Sequence, residues 1–354
     1  MTDDKKRERS PSPAISIQNT EQLDDILSEP SPGIVETMQR AAGDIIILGV
    51  GGKMGPSLAR MAKRASDQAG VRRRVIGVSR FSSTNLPDAL HRHGIETISC
   101  DLLDPAQLQK LPDVPNVIYM AGMKFGSTGQ EALTWAMNCH LPGLVSRKYH
   151  RSRIVAFSTG NIYGLIPVGG SGSVETDFPR PTGDYAMSCL GRERIFEHFS
   201  RTLSIPMAMI RLNYAVELRY GVLVDIARWV WDGTTIDVSM GHFNAVWQAE
   251  ANGMSLQALD HAASPPFLLN VVGPEVLSIR GVAEDFGRLM NKPVRFTGTA
   301  SSDAFLGNGQ RGYRLMGAPK VTSKQMIPWI ADWVMRGGET LNKPTHFEVR
   351  DGKY

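Results

Sequence analysis

Three glycines spaced by three, Gly49-x-x-Gly52-x-x-Gly55, make the segment of this chain with the clearest chemical meaning. Such a turn lets backbone approach an anion closely, and a helix starting there adds the partial positive charge of its N-terminus. The chemistry implied is recognition of a phosphate or pyrophosphate, with Lys53 and Met54 inside the turn. Further along, Val78-Ser79-Arg80-Phe81 has no carboxylate where dinucleotide-binding folds often hold the ribose hydroxyls. Ser79 and Arg80 suit a 2′-phosphate instead, which favours NADP over NAD; the alternative is that Arg80 is a strand-end cation in solvent. Asp101, in Ser99-Cys100-Asp101-Leu102, is suited either to accept from an adenine amino group or to cap a helix, although Asp104 is better sited for the second task.

Other reactive side chains carry less. Cys100, Cys139 and Cys189 are too few and too scattered for a disulfide framework or a cysteine-rich zinc site. Cys189 in mid-helix, with no histidine close in sequence, reads as a buried filler before it reads as a nucleophile. His91 and His93 sit in a turn-like HRHG stretch and are expected at the surface, so no metal site is expected.

These residues need elements to hold them. From Asp44 onward short apolar runs (DIIILGV, RVIGVSR, ETISCDLL, NVIYMAG, RIVAFSTG, PMAMIRL) alternate with helix-length segments. That alternation predicts an α/β, Rossmann-type doubly wound parallel sheet over 44–212, with the glycines between the first strand and first helix of a β-α-β unit. Residues 213–354 are expected to form mainly a smaller C-terminal substrate lobe, interleaved with the last sheet strands. Residues 1–15 are polar and rich in charge, Pro and Ser, and are expected to be a disordered tail. Residues 16–43 read as a lead-in of two short helices around Pro30 and Pro32, with Asn19 and Gln22 as a capping pair. Of the 354 residues, 42% are apolar and 21% charged, which is ordinary globular composition. Thirty-nine Lys and Arg against 35 Asp and Glu give +4, too little to imply a nucleic-acid or membrane partner. With no apolar run near a membrane span and a charged start, a cytoplasmic protein is expected.

The chain resembles the extended short-chain dehydrogenase/reductases, the NAD-dependent epimerase/dehydratase family, over roughly residues 44–300. The resemblance rests on the Gly49/Gly52/Gly55 spacing, Asp101-Leu102, Met120-Ala121-Gly122-Met123-Lys124, Phe157-Ser158-Thr159-Gly160-Asn161-Ile162-Tyr163-Gly164, and Tyr185 opening a helix. It implies that Ala121, Gly122, Lys124 and Tyr185 line a nicotinamide cofactor. It also implies that Thr159 bonds the substrate oxygen that gains or loses a proton, that Tyr185 carries that proton, and that Asn161 and Asn213 touch substrate. Gly160 and Asn161 stand where the family's dehydratases place an acid and a base, so 4,6-dehydration is not expected.

One departure is chemical. The family's Tyr-x-x-x-Lys runs from Tyr185 to position 189, which is Cys. The lysine ammonium lowers the tyrosine pKa, which is near 10 when free; a thiol cannot. The positive charge must then come from an oxidised nicotinamide ring, Lys124, or Arg192 two turns on. Otherwise Tyr185 only orients substrate, or the chain is a catalytically impaired NADP-binding regulatory or scaffold protein. The expectation is hydride transfer at a carbinol or ketone carbon of a carbohydrate-like small molecule, as oxidoreduction or within an epimerisation. A homodimer through GQEALTWAMNCHL and the Tyr185 helix is also expected.

Overall fold

The computed structural model describes residues 17–82, 85–124, 126 and 128–353. The expected tail, 1–15, lies outside the described residues. Residues Thr20–Leu27 (α1) and Pro32–Arg40 (α2) form the lead-in. Asn19 Oδ1 accepts from Gln22 N at 2.9 Å, while the Gln22 side chain accepts from Gln18 N rather than from the cap residue. Arg60 and Arg64, on Gly55–Gln68 (α3), bind Asp25 and Glu29, so the lead-in is tied to the first helix of the sheet domain.

Seven described strands form one parallel sheet: Ile45–Leu48 (β1), Val75–Ser79 (β2), Glu96–Ser99 (β3), Asn116–Tyr119 (β4), Arg153–Thr159 (β5), Met207–Leu212 (β6) and Phe267–Val271 (β7). Their order is β7-β6-β5-β4-β1-β2-β3. The order reverses at β1, which pairs with β2 on one side and β4 on the other, and ligands of such sheets bind outside the strand C-termini at that switch point. Every residue of Ile45-Ile46-Ile47-Leu48 is buried because both faces are covered. Ile45 and Ile47 pack on one side with α2, α3 and Gln248–Gln257; Ile46 and Leu48 pack on the other with Leu141, Val145 and Phe196.

Leu86–Arg92 (α4), Pro105–Gln109 (α5), Glu131–Trp135 (α6), Leu141–Lys148 (α7) and Gly183–Leu203 (α8) complete the connections up to β6. A π-helical turn, Ala136–His140, joins α6 to α7. Beyond β6, the helices Val222–Trp231 (α9), Gln248–Gln257 (α10), Ile279–Met290 (α11), Gln310–Met316 (α12) and Ser323–Met335 (α13) follow. Of these, α9, α11 and α13 enclose a separate core with Phe243, Phe286 and Trp333, which α1 also joins. Among the described residues no helix is long and apolar enough to cross a membrane.

Candidate active site

The strand ends at the switch point open into one cleft of about 680 Å³. At its base the chain leaves β1 through Gly49, whose φ is +94° and whose position would put a Cβ 2.7 Å from Ala121 N. Only glycine meets both demands. A Cβ on Gly55 would lie 2.2 Å from Val50 O, so α3 starts directly against the turn that leaves β1. Gly52, by contrast, faces open space, its nearest contact being Gly49 O at 3.4 Å. Gly51, which sequence reasoning passed over, also lines the cleft and packs against Ser79 Oγ. The doubled glycine was its only signal.

Lys53 and Met54 line the same wall. Lys53 Nζ stands 3.4 Å above the Tyr220 ring, and burial, with Lys124 and Lys343 adding repulsion, pushes its pKa down to about 6. Ser79, Arg80, Asp101 and Leu102 line the far end, Ala121, Gly122 and Lys124 the middle, and Thr159, Asn161 and Tyr185 the near end. Asp101 Oδ1 accepts from Leu103 N at 3.0 Å, while Asp104 caps α5 by accepting from Ala106 and Gln107 N.

Thr159 ends β5 and caps a short 3-10 turn, its Oγ1 accepting from Asn161 N at 3.2 Å. Tyr185 lies in the first turn of α8, where the Cys189 thiol hydrogen-bonds it one turn on. Burial raises the Cys189 pKa, so the thiol stays neutral. Arg192, whose reach over two turns the spacing alone leaves open, does line the cleft. Its guanidinium donates to Phe157 O (2.8 Å) and Asn138 Oδ1, and sits so close under Gly122 that a Cβ there would lie 2.2 Å from it. Asn138, in the π-helical turn, also clamps the Met123 backbone, accepting from its N (3.0 Å) and donating to its O (2.9 Å).

Asn213 corrects one expectation. It is absent from the cleft wall and packs behind Gly160, where a Cβ would come 1.6 Å from Asn213 Oδ1. Tyr214, one residue on, lines the cleft instead. The same contact shows why position 160 holds glycine and no acid. Of four polar or aromatic side chains in the segment after β6, Glu217 is buried against Arg219, Arg219 also binds Asp24, and Trp247 is packed on Trp329. Only Gln248 lines the cleft, donating to Ser57 Oγ at 3.0 Å. Two regions gave no signal in sequence: Tyr220 with Gly221, and the C-terminal Lys343 with Thr345, all on the cleft wall. Among the described residues no cluster of three His, Cys, Asp or Glu is arranged to hold a metal.

The match to the NAD dependent epimerase/dehydratase family model covers residues 45–216. No curated protein matches the chain. Among solved structures, the dTDP-glucose 4,6-dehydratase of Bacillus anthracis str. Ames, in complex with NAD, is 15% identical with a TM-score of 0.69, covering 83% of this chain and 97% of that one. UDP-glucose 4-epimerase of Thermotoga maritima, with UDP-glucose, is 15% identical with a TM-score of 0.69, covering 83% and 99%. UDP-glucose 4-epimerase of Thermus thermophilus, in complex with NAD, is 18% identical with a TM-score of 0.66, covering 82% and 98%. At these identities the likeness is one of fold. With residues 45–216 matched by the family model and the parallel sheet shared with these structures, that part of the chain is similar to the NAD-dependent epimerase/dehydratase family.

Proposed function

We propose that this chain binds a nicotinamide dinucleotide along the cleft and acts at a carbinol or ketone carbon of a carbohydrate-like substrate. The observation that carries the reading is continuity: one cleft runs from Ser79 and Arg80, past the glycine turn, to Thr159 and Tyr185. The open face of Gly52 and the N-terminus of α3 suit a pyrophosphate. Ser79 and Arg80, with no acid beside them, suit the 2′-phosphate of NADP; the structural neighbours described with NAD make NAD the competing choice.

The bound nicotinamide supplies the hydride donor or acceptor. The protein's share is orientation and proton transfer. Thr159 Oγ1, fixed by Asn161 N, bonds the reacting oxygen, and the Tyr185 hydroxyl takes or returns its proton. Asn161 contacts substrate from the same wall. A nucleotide sugar is one candidate, supported by the Thermotoga maritima neighbour described with UDP-glucose. A smaller sugar or sugar acid is the rival, since no arginine cluster stands ready for a second diphosphate among the described cleft residues.

The test is to acid-quench freshly purified protein, identify released nucleotide by mass, and titrate stripped protein with NAD and NADP separately. Binding of either at micromolar concentration supports the reading; no binding of either at millimolar concentration removes it. In a screen of sugars, Tyr185→Phe is then expected to lower turnover by a factor on the order of 10²–10⁴ while leaving dinucleotide affinity intact. A second reading, a dinucleotide-binding protein without turnover, is favoured by Cys189 alone. It gains if full dinucleotide binding accompanies no turnover on any carbinol or ketone sugar.

A further inference from the structure

The segment after α13 lies outside the family match and outside every motif, yet it forms part of the cleft wall. Its course is pinned repeatedly. Leu341 N donates to Arg219 O at 3.1 Å, Phe347 is buried against Trp229 and Phe243, and Arg350 pairs with Asp303. Gly352 packs backbone to backbone on Gly183 at the start of α8, where a Cβ on Gly183 would lie 2.5 Å from Gly352 O.

Between these anchors Thr345 is held at two points. Half-buried Asp225, on α9, accepts from both Thr345 N (2.8 Å) and Thr345 Oγ1 (2.7 Å). Thr345 O in turn accepts from Lys124 Nζ at 3.1 Å, and that ammonium lies 5.7 Å from the centre of the Tyr185 ring. A phenol that must give up a proton near neutral pH needs a positive charge close by in a low-dielectric site. The residue one turn along α8 is the neutral thiol of Cys189, which cannot provide it.

We propose that Thr345, anchored by Asp225, is a positioning residue that holds Lys124 beside Tyr185, so that Lys124 supplies the charge that Cys189 does not. This rests on the reading of Tyr185 as proton carrier. The charged groups favouring the Lys124 ammonium are Glu348 from the C-terminal segment and Asp225 from α9; Cys189 from α8 adds nothing while its thiol is neutral, and Lys53 from the glycine turn, held at about 6, is neutral where Lys124 titrates. Burial outweighs them and brings Lys124 down to about 8, so the ammonium is present at neutral pH and lost above pH 8. Arg192 also acts on Tyr185, but its guanidinium is fixed to Phe157 O and Asn138, away from the C-terminal segment.

The test uses the full chain with tyrosines labelled at 13Cζ, the Tyr185 signal being assigned by its loss in Tyr185→Phe. Lys124→Met is expected to raise the Tyr185 midpoint so that its ionisation weakens about tenfold or more. Lys124→Arg should restore most of it. Asp225→Asn should move the midpoint up by a smaller amount, and if that variant does not fold, Thr345→Val, which loses one donor, carries the same expectation. An unmoved midpoint in Lys124→Met, with folding and dinucleotide binding as in the parent, overturns the proposal. Dinucleotide titration on the same samples keeps the two ideas separate, since lost binding in the parent protein removes the proposed function, whereas the tyrosine midpoint reports on Lys124 alone.

Discussion

Lys53 carries an amine on the cleft wall whose protonation a bound anion would change. Its amine is folded over Tyr220 and held at about 6, below its ordinary 10.5, by burial and then by Lys124 and Lys343. Between those two values the unfolded chain carries a proton that the folded protein lacks, so this group makes stability rise with pH across that window. At pH 7.5 the folded amine is therefore mostly neutral. A pyrophosphate at the glycine turn favours the ammonium, so dinucleotide binding at pH 7.5 is expected to take up roughly one proton, and at pH 5 almost none. Calorimetry in buffers of different ionisation enthalpy reads this directly. Equal uptake at both pH values, or uptake unchanged in Lys53→Met, would assign the proton elsewhere.

Among the elements, α8 does two jobs from two faces. Tyr185 looks into the cleft, while Glu193, two turns on, faces the sheet and accepts from Ser158 Oγ at 2.6 Å and from Arg211 at 2.8–3.3 Å. Arg211 also donates to the Tyr163 hydroxyl (2.7 Å), which donates to Asn270 Oδ1 (2.8 Å). The network ties α8, β5, β6 and β7 beneath the Thr159 end of the cleft. Both members of the Glu193–Arg211 pair are only 4% exposed, so Glu193→Ala strands a buried guanidinium and is expected to cost about 3–5 kcal/mol in urea unfolding. A loss under about 1 kcal/mol would show that water or rearrangement replaces the carboxylate. How legible such features were depended on their period. The central strands are continuous apolar runs buried on both faces and the glycines recur every three residues, so their places followed from the residues alone. Arg192 lay about 10 Å along the helix from Tyr185, and its long arm closed a gap that spacing left open. Asn213 went astray because the chain leaves the strand at Leu212 and turns through a left-handed Tyr214 (φ +36°), which no strand period foretells. Thr345 and Asp225 meet across 120 residues, and nothing periodic marks either.

At the scale of the whole molecule, the apolar positions on α6, α7 and α8 divide into two sets. Leu141 and Phe196 are fully buried within the subunit, whereas Leu133, Trp135 and Met187 remain 43%, 37% and 47% exposed. Trp135 Nε1 donates to Asp184, so α6 and the start of α8 present these side chains on adjoining helices. Covering them with a second copy is the homodimer expected from the sequence, and such an interface needs roughly 1,200–2,000 Å² in total. Met187 follows Tyr185 by two residues, about 200° around the helix, so the Met187 side of α8 points away from the cleft. Leu133→Glu with Met187→Glu is therefore expected to convert a dimer to a monomer in sedimentation velocity while dinucleotide affinity changes less than about threefold. A parent protein that sediments as a monomer at micromolar concentration would remove the dimer. A monomeric variant that loses dinucleotide binding would instead mean that the second copy braces the start of α8, and with it Tyr185.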